Sequence, residues 1–272
     1  MTNLLVPFSN SHGGNRKNLR KIPFSNVVIT RTRNYFLGRK WQAVDIQVAS
    51  WFIFVHLLAL FAPFTFTWDA FWIAFVGYVV TGMLGVTLSY HRLLSHHSLE
   101  LPKWLEYIFV YFGVLALQGD PIFWVSIHRY HHKYVDSDND THSPINGLWF
   151  SYAGWFLDNE YLVEKGVRII CIYHLMSLIN TIGHIWGNQA WNTGDLSKNN
   201  WWLGVLFFGE GWHNNHHAFE YSARHGLEWW QIDFTWYIIR FLEAVGLATN
   251  IKIPTEAQKH KKSFDTSYNP YK

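Results

Sequence analysis

Three short stretches of this chain concentrate imidazole: "HRLLSH" at 91–96, "HRYHH" at 128–132 and "HNNHH" at 213–217. With His97, directly after the first, they hold nine of the sixteen histidines. His128, His131 and His132 stand at i, i+3 and i+4, the spacing that puts side chains on one helical face, and His213, His216 and His217 repeat it. Asn180 and His184 in "NTIGH" form a further i, i+4 pair. His91 and His96, five apart, share no α-helical face; their spacing makes sense if His91 closes a helix and His96 lies just past it. One histidine near a membrane ordinarily pairs with a carbonyl, but three clusters at ligand spacing point to metal. Imidazole suits Fe, Cu, Zn and Ni, and the motifs bring no carboxylate or thiolate with it. Nine donors exceed the four that tetrahedral zinc takes. They suit two metals of higher coordination with positions open to exogenous ligands, a site for redox chemistry with dioxygen.

The elements that must hold these residues read as membrane helices. Aromatic residues make up 19% of the 272 positions and charged residues only 15%, below the usual quarter. Val48–Trp68 and Ala70–Tyr90 are charge-free, separated by Asp69, and each is long enough to cross a bilayer. They predict a helical hairpin that starts and ends on one side and delivers His91 to that boundary. Tyr107–Gly119 is too short to span and reads as re-entrant or interfacial. Ile169–Trp191 is a third charge-free run of spanning length, and Trp229–Ala248 an amphipathic surface helix. Residues 133–147 form a polar loop, and Gly147–Leu157 a short aromatic-rich segment suited to the interface. Cys171 is the only cysteine, which excludes a disulfide framework and a thiolate metal site. Residues 1–44 carry eight Lys/Arg and no acid. A transit peptide would look similar, but the positive-inside rule favours a cytoplasmic flank. No nucleic-acid motif accompanies these charges.

The three histidine motifs resemble the histidine boxes of membrane fatty acyl desaturases. The surroundings "GVTLSYHRLLSHHS", "NTIGHIWG" and "FGEGWHNNHHAFEYSARHGLEWWQIDFTWYIIRFLEAVGLA" resemble the Δ9 type, closest to the cyanobacterial acyl-lipid enzymes, and the likeness runs from about Trp41 to Thr249. It implies an all-α integral membrane protein with a cytoplasmic helical cap carrying a histidine-rich di-iron site. The implied organisation is a basic N-terminal segment at 1–47, a membrane desaturase domain at 48–248 and a polar tail at 249–272. The implied ligands of two Fe(II) ions are His91, His96, His128, His131, His132, His184, His213, His216 and His217, with Asn180 acting through a water. Gln118 and Trp124 match positions lining the acyl tunnel, and Val79 and Met83 fall where the family closes it around the methyl end. Positions that contact CoA in the animal enzymes are here Gly119, Ser126, Ile127, Ile145 and Asn146, none charged. CoA phosphates ordinarily meet Lys or Arg, so a membrane glycerolipid fits better as carrier.

The resemblance thus implies an oxidoreductase that inserts a cis double bond, at Δ9, into a lipid-bound acyl chain, using O2 and two external electrons. No fused heme motif is present, so a ferredoxin or cytochrome b5 must supply the electrons. An acyl hydroxylase with the same site and a non-catalytic desaturase homologue are the competing readings. The second is motivated by 158–179, where the family has two membrane helices and this chain has room for one. Met176 and Ser177 also replace a Thr-Trp pair there. A single crossing would strand His213 on the wrong side of the membrane, so Ile169–Trp191 is expected to enter and leave on one side.

Overall fold

The computed structural model describes residues 20–30, 39–137, 139–140, 142–157 and 174–264. Helix α1 (Ala43–Ala59) starts at a capping box in which the Gln42 side chain and the Asp45 carboxylate serve each other's backbone N–H groups. A single 3₁₀ turn at Ala62–Phe64, entered through Pro63, reverses the chain. Thr67 then caps α2 (Trp68–Tyr78), its hydroxyl accepting from the Ala70 N–H at 3.1 Å. Without a break α2 widens into a π-helix, Val79–Ser95. Ala43–Phe64 and Trp68–Ser95 are the two helical stretches among the described residues long and apolar enough to cross a hydrocarbon core of about 30 Å. Phe54, Leu57, Phe61, Phe71, Trp72, Ile73 and Phe75 all face outward, an apolar surface that suits lipid and not water.

The π-helix is the hub. Gly85 lies so close to helix α3 (Lys103–Leu115) that a Cβ there would sit 2.4 Å from the Gly113 nitrogen. A Cβ on Gly113 would in turn sit 2.4 Å from the Tyr90 ring. Leu88 and Leu93 pack with Leu105, Phe109, Ile239 and Leu242 in one core. Tyr90 packs with Phe123, Trp124, Ile127, Phe150 and Trp155 in another. Helix α3 begins four residues before the charge-free run that marked it, because Lys103 and Glu106 pair at 2.9 Å on its outer face. At 13 residues, about 20 Å, it does not span.

Helix α4 (Pro121–Tyr134) has both start signals, Asp120 accepting from the Phe123 N–H at 3.0 Å and Pro121 in the first turn. Helix α5 (His174–Ile185) is the helical part of the third charge-free run among the described residues; residues 158–173 lie outside them. Its 12 residues reach about 18 Å, and Ile182, His184 and Ile185 are buried in protein. Short helices α6 (Trp201–Leu206), α7 (His213–Ala218), α8 (Phe234–Ala244) and α9 (Glu256–Lys262) complete the layer. Helix α8 starts five residues later than the amphipathic pattern suggests, because Asp233 is its cap and accepts from the Trp236 N–H at 2.9 Å. The described residues contain isolated β-bridges but no strand.

Candidate metal centre

In a π-helix each N–H reaches back five residues, as the His96 N–H does to the His91 carbonyl at 3.2 Å. Residues five apart therefore lie together, and the His91 and His96 ring centroids are 4.9 Å apart. The expectation that His91 closes a helix is corrected: the helix runs on to Ser95, with His96 as its cap. The spacing that fits no α-helical face is the signature of this winding. Helix α4 presents His128, His131 and His132 as expected, with Trp124 stacked on His128 at 5.0 Å. Helix α5 contributes His184 and the buried Asn180.

A six-residue helix such as α7 has little stability of its own, and the two asparagines of "HNNHH" hold it in place. Asn214 Oδ1 accepts from the backbone N–H groups of Ala190 and Trp191, both at 2.7 Å. Asn215 donates to the His225 carbonyl and to Gln231 Oε1, both at 2.8 Å, and accepts from Trp191 Nε1 at 2.9 Å. The loops on either side, before α6 and after α7, are thereby tied to the helix that carries His213, His216 and His217.

The nine expected histidines converge as two groups. One comprises His91, His96, His128, His132 and His216, the other His131, His184, His213 and His217, with the ligand atoms in each within 4.8 Å of one another. Behind them stand carboxylates. His91 Nδ1 meets Glu210 at 2.5 Å, His131 Nδ1 meets both Asp140 oxygens at 3.1 Å, His184 Nδ1 meets Asp136 at 2.9 Å and His217 Nδ1 meets Asp195 at 3.0 Å. Glu220 reaches toward His132 Nδ1 at 3.7 Å. A carboxylate at Nδ1 fixes the proton there and leaves a lone pair on Nε2.

The Nε2 atoms of these carboxylate-held rings face one another or rings such as His128 and His216, whose buried Nδ1 atoms have no hydrogen-bond partner among the described residues. Nε2 atoms lie 3.1 Å apart for His184–His213 and His213–His217, and the buried His131 Nε2 has no hydrogen-bond partner. In the first group the Nε2 contacts run from 2.8 Å for His96–His128 to 3.2 Å for His91–His216. A neutral imidazole has one N–H, so a cluster of Nε2 atoms this close cannot all be satisfied by bonding one another. A cation between them satisfies every one. The residues present therefore fit two nitrogen-ligated metal ions.

Electrostatics agree. Burial, followed by neighbouring imidazoles, holds His128, His132, His213 and His216 far below the usual histidine range. Burial also brings His217 down to about 4 against the pull of Asp195. These rings are neutral and ready to ligate at neutral pH. Burial would raise Asp140, but His131 and His142 overcome it and hold that carboxyl well below its ordinary range. His184 goes up: burial opposes its charge, yet Asp136 prevails.

Against the metal groups lies a narrow apolar cavity. Its wall includes His91, His128 and His213, together with Asn180, Gln118, Trp124, Tyr78, Gly82, Val86 and Phe208. Gln118 and Trp124 thus come to the wall, joined by a hydrogen bond from Trp124 Nε1 to Gln118 Oε1 at 3.2 Å. Val79 and Met83 are not in this wall. Counting back from His91 in α-helical turns lands on them, but the π winding turns Tyr78, Gly82 and Val86 to the cavity. Tyr78 reaches across to Phe208, ring centroids 5.1 Å apart, and donates to the Leu206 carbonyl at 2.7 Å.

Sequence reasoning missed the carboxylates, and two of them, Asp136 and Asp140, lie in the loop read simply as polar. The density of acid in "DSDND" directly after a histidine box was the available signal. It also missed the buried Arg92, which bridges Asp233 at 2.9 Å and Glu210 at 3.2 Å, and the buried His142 and His225 beside the two groups.

The Fatty acid desaturase family model matches residues 70–169 and 165–250. A palmitoyl-monogalactosyldiacylglycerol delta-7 desaturase, chloroplastic, of Arabidopsis thaliana is 47% identical over 293 positions, covering 90% of this chain and 79% of the relative. The Delta-9 acyl-lipid desaturase 1 of the same plant is 45% identical, covering 90% and 95%. An acyl-CoA C20 Delta5-desaturase of Anemone leveillei is 46% identical, covering 90% and 94%. Each alignment is several tens of positions longer than the part of this chain it covers, and the two pieces of the family match meet at 165–169, inside the region expected to be short.

Proposed function

The chain belongs to the fatty acid desaturase family, and we propose that it inserts a cis double bond, at Δ9, into an acyl chain esterified in a membrane glycerolipid. One observation carries this reading: two convergent nitrogen groups share a wall with a single apolar cavity. His91, His96, His128, His132 and His216 would hold one iron, and His131, His184, His213 and His217 the other, with Asn180 acting through a water. Iron bound there supplies the reductive activation of O2 that removal of two unactivated hydrogens requires.

The protein's own residues do the rest. Glu210, Asp140, Asp136 and Asp195 fix the imidazoles against rotation, so the donor set is preorganised. Trp124, stacked on His128 and tethered to Gln118, limits which part of a chain in the cavity can approach the donors. Val86 and Phe208 exclude water from that path, while Gly82 leaves room for a methylene chain. The cavity wall carries no Lys or Arg for CoA phosphates. This supports the glycerolipid as carrier, reached laterally from the bilayer.

The histidine boxes are proposed to face the cytoplasm together with the basic N-terminus, and a ferredoxin or cytochrome b5 to deliver the electrons. An acyl hydroxylase would use the same donors, and a non-catalytic homologue is favoured only by the shortened 158–179 region. Expression in a yeast lacking its own desaturase, with lipids profiled by mass spectrometry, decides among the three. Monounsaturated product, lost in His131→Ala and in His216→Ala, is the expected outcome. Hydroxylated acyl chains would establish the hydroxylase, and unchanged lipids the non-catalytic homologue. The position of the double bond separates Δ9 from the Δ7 and Δ5 outcomes named for the relatives.

A further inference from the structure

Residues 20–30 belong to the segment that its charge marks as a basic flank, and the histidine chemistry makes no use of them. The segment folds back on itself. Ser25 N–H donates to the Ile22 carbonyl at 3.2 Å, so Pro23 and Phe24 form a turn, and one antiparallel bridge pairs Lys21 with Val28. Ile22 N–H donates to the Val27 carbonyl at 3.1 Å, and Ile29 N–H to the Arg20 carbonyl at 2.8 Å. Arg20, Lys21, Pro23, Phe24 and Asn26 are exposed, whereas Ile22 and Val27 are each only 1% exposed. A lone turn with one bridge has no core of its own. Something else must bury these two side chains.

They are buried beneath the second histidine group. Ile22 and Val27 pack with Ile185, Trp186, Leu148 and Leu196. Ser25 Oγ donates to the Ile185 carbonyl at 3.0 Å and accepts from the Val27 N–H at 3.0 Å, and Trp186 Nε1 donates to the Pro23 carbonyl at 3.1 Å. Ile185 is the last residue of α5 and directly follows His184. The last carbonyls of a helix have no partner within it, and that of Ile185 is taken by Ser25 and by Lys198 Nζ, the latter at 2.7 Å. Leu196 directly follows Asp195, whose carboxylate holds His217 Nδ1. The Leu196 N–H also donates, at 2.8 Å, to the Asp136 oxygen that holds His184 Nδ1. Two of the four rings in the second group, His184 and His217, are therefore seated on the cluster that Ile22 and Val27 complete. The segment's partners, Ile145, Leu148, Ile185, Trp186 and Leu196, adjoin no ligand of the first group along the chain.

We propose that residues 20–30 are a strap that positions the second histidine group, with Ile22, Ser25 and Val27 as positioning residues for His184 and His217. The proposal rests on the two-metal reading given above. A helix of 12 residues has little stability of its own, and a ligand set works only while its donors are held to within about 0.5 Å. His184 stands one residue from the end of α5, where fraying would move it first. The strap supplies at that end both an apolar cover and a partner for the terminal carbonyl.

The test uses the full chain purified with its iron, and follows iron release to a chelator together with hydrogen exchange at residues 183–186. The Ile22→Ala, Val27→Ala double variant removes the buried side chains, Ser25→Ala removes only the bond to Ile185, and Ile22→Leu conserves the volume. In the double variant the iron that His184→Ala removes should leave about tenfold faster. The other iron should keep its wild-type rate, exchange at the end of α5 should quicken, and Ile22→Leu should restore both readouts. Ser25→Ala should speed release of the same iron by a smaller factor, which keeps the proposal open to refutation if the double variant fails to fold. Equal acceleration of both irons would reduce the segment to general stability, and unchanged release of both would detach it from the site; either overturns the proposal. A wild type that holds no iron, in which the double variant still speeds exchange at 183–186, would uphold the strap and overturn the two-metal reading instead.

Discussion

At the scale of single residues, Glu210 ties the first histidine group to the buried Arg92. Its carboxylate meets His91 Nδ1 at 2.5 Å, Arg92 at 3.2 Å and His225 Nδ1 at 3.6 Å, and it lies in the cavity wall. Glu210→Gln keeps the shape but removes the charge that fixes the His91 tautomer. Carboxylates in this role typically contribute about 10–100-fold in metal affinity. Iron retention under chelator challenge should therefore fall by that order while the helical circular dichroism is unchanged; equal retention would remove Glu210 from the site. The i, i+3, i+4 histidines of the second and third motifs were legible in the sequence because that spacing is a local pattern, whereas the full set of nine came only from the family resemblance. Glu210 was not legible, because its partners His91 and Arg92 lie far from it along the chain. Asp136 and Asp195 share that difficulty, since they come to His184 and His217 only through the fold.

At the scale of elements, the π-helix decides both packing and register. Gly85→Ala places a methyl group against the Gly113 backbone, where nothing can give way, and overpacking of this kind costs about 1–3 kcal/mol. Gly77→Ala, with nothing within 4 Å of its added Cβ, should instead be neutral or stabilising through helix propensity. Melting temperatures of the two variants should move apart; if both move together, the close approach of the π-helix to α3 is not as described. Register is tested through the cavity. A Cβ on Gly82 would lie 3.2 Å from the Phe208 ring, so Gly82→Val narrows the space beside Tyr78. The product ratio should shift toward shorter acyl chains with Gly82→Val and much less with Met83→Trp. The reverse order would restore Met83 to the tunnel end. The sequence pointed to this helix through Val79 and Met83, and the cavity meets it at the neighbouring Tyr78 and Gly82 and at Val86. A five-residue histidine spacing announces π winding only to a reader who already suspects it.

At the scale of the whole molecule, the question is whether a chain short between its second and third boxes still assembles one site. The hairpin of Ala43–Phe64 and Trp68–Ser95 was legible as two uninterrupted apolar runs. The third run was legible only as a length, and its helical part among the described residues is α5, 12 residues long. Its polar residues Asn180, Thr181 and His184 are buried in protein, where lipid would leave them unsatisfied. The C-terminus should therefore lie on the same side as the basic N-terminus, as reporter fusions or protease protection would reveal. A far-side C-terminus would separate His213 from His91. The most direct measurement is the metal content of the full chain purified from iron-replete cells, read by mass spectrometry for every transition metal at once. Two nitrogen-ligated sites in one chain predict close to two irons per polypeptide, both lost together in His131→Ala, His216→Ala double variants. A single iron, or stoichiometric zinc in place of iron, would contradict the account.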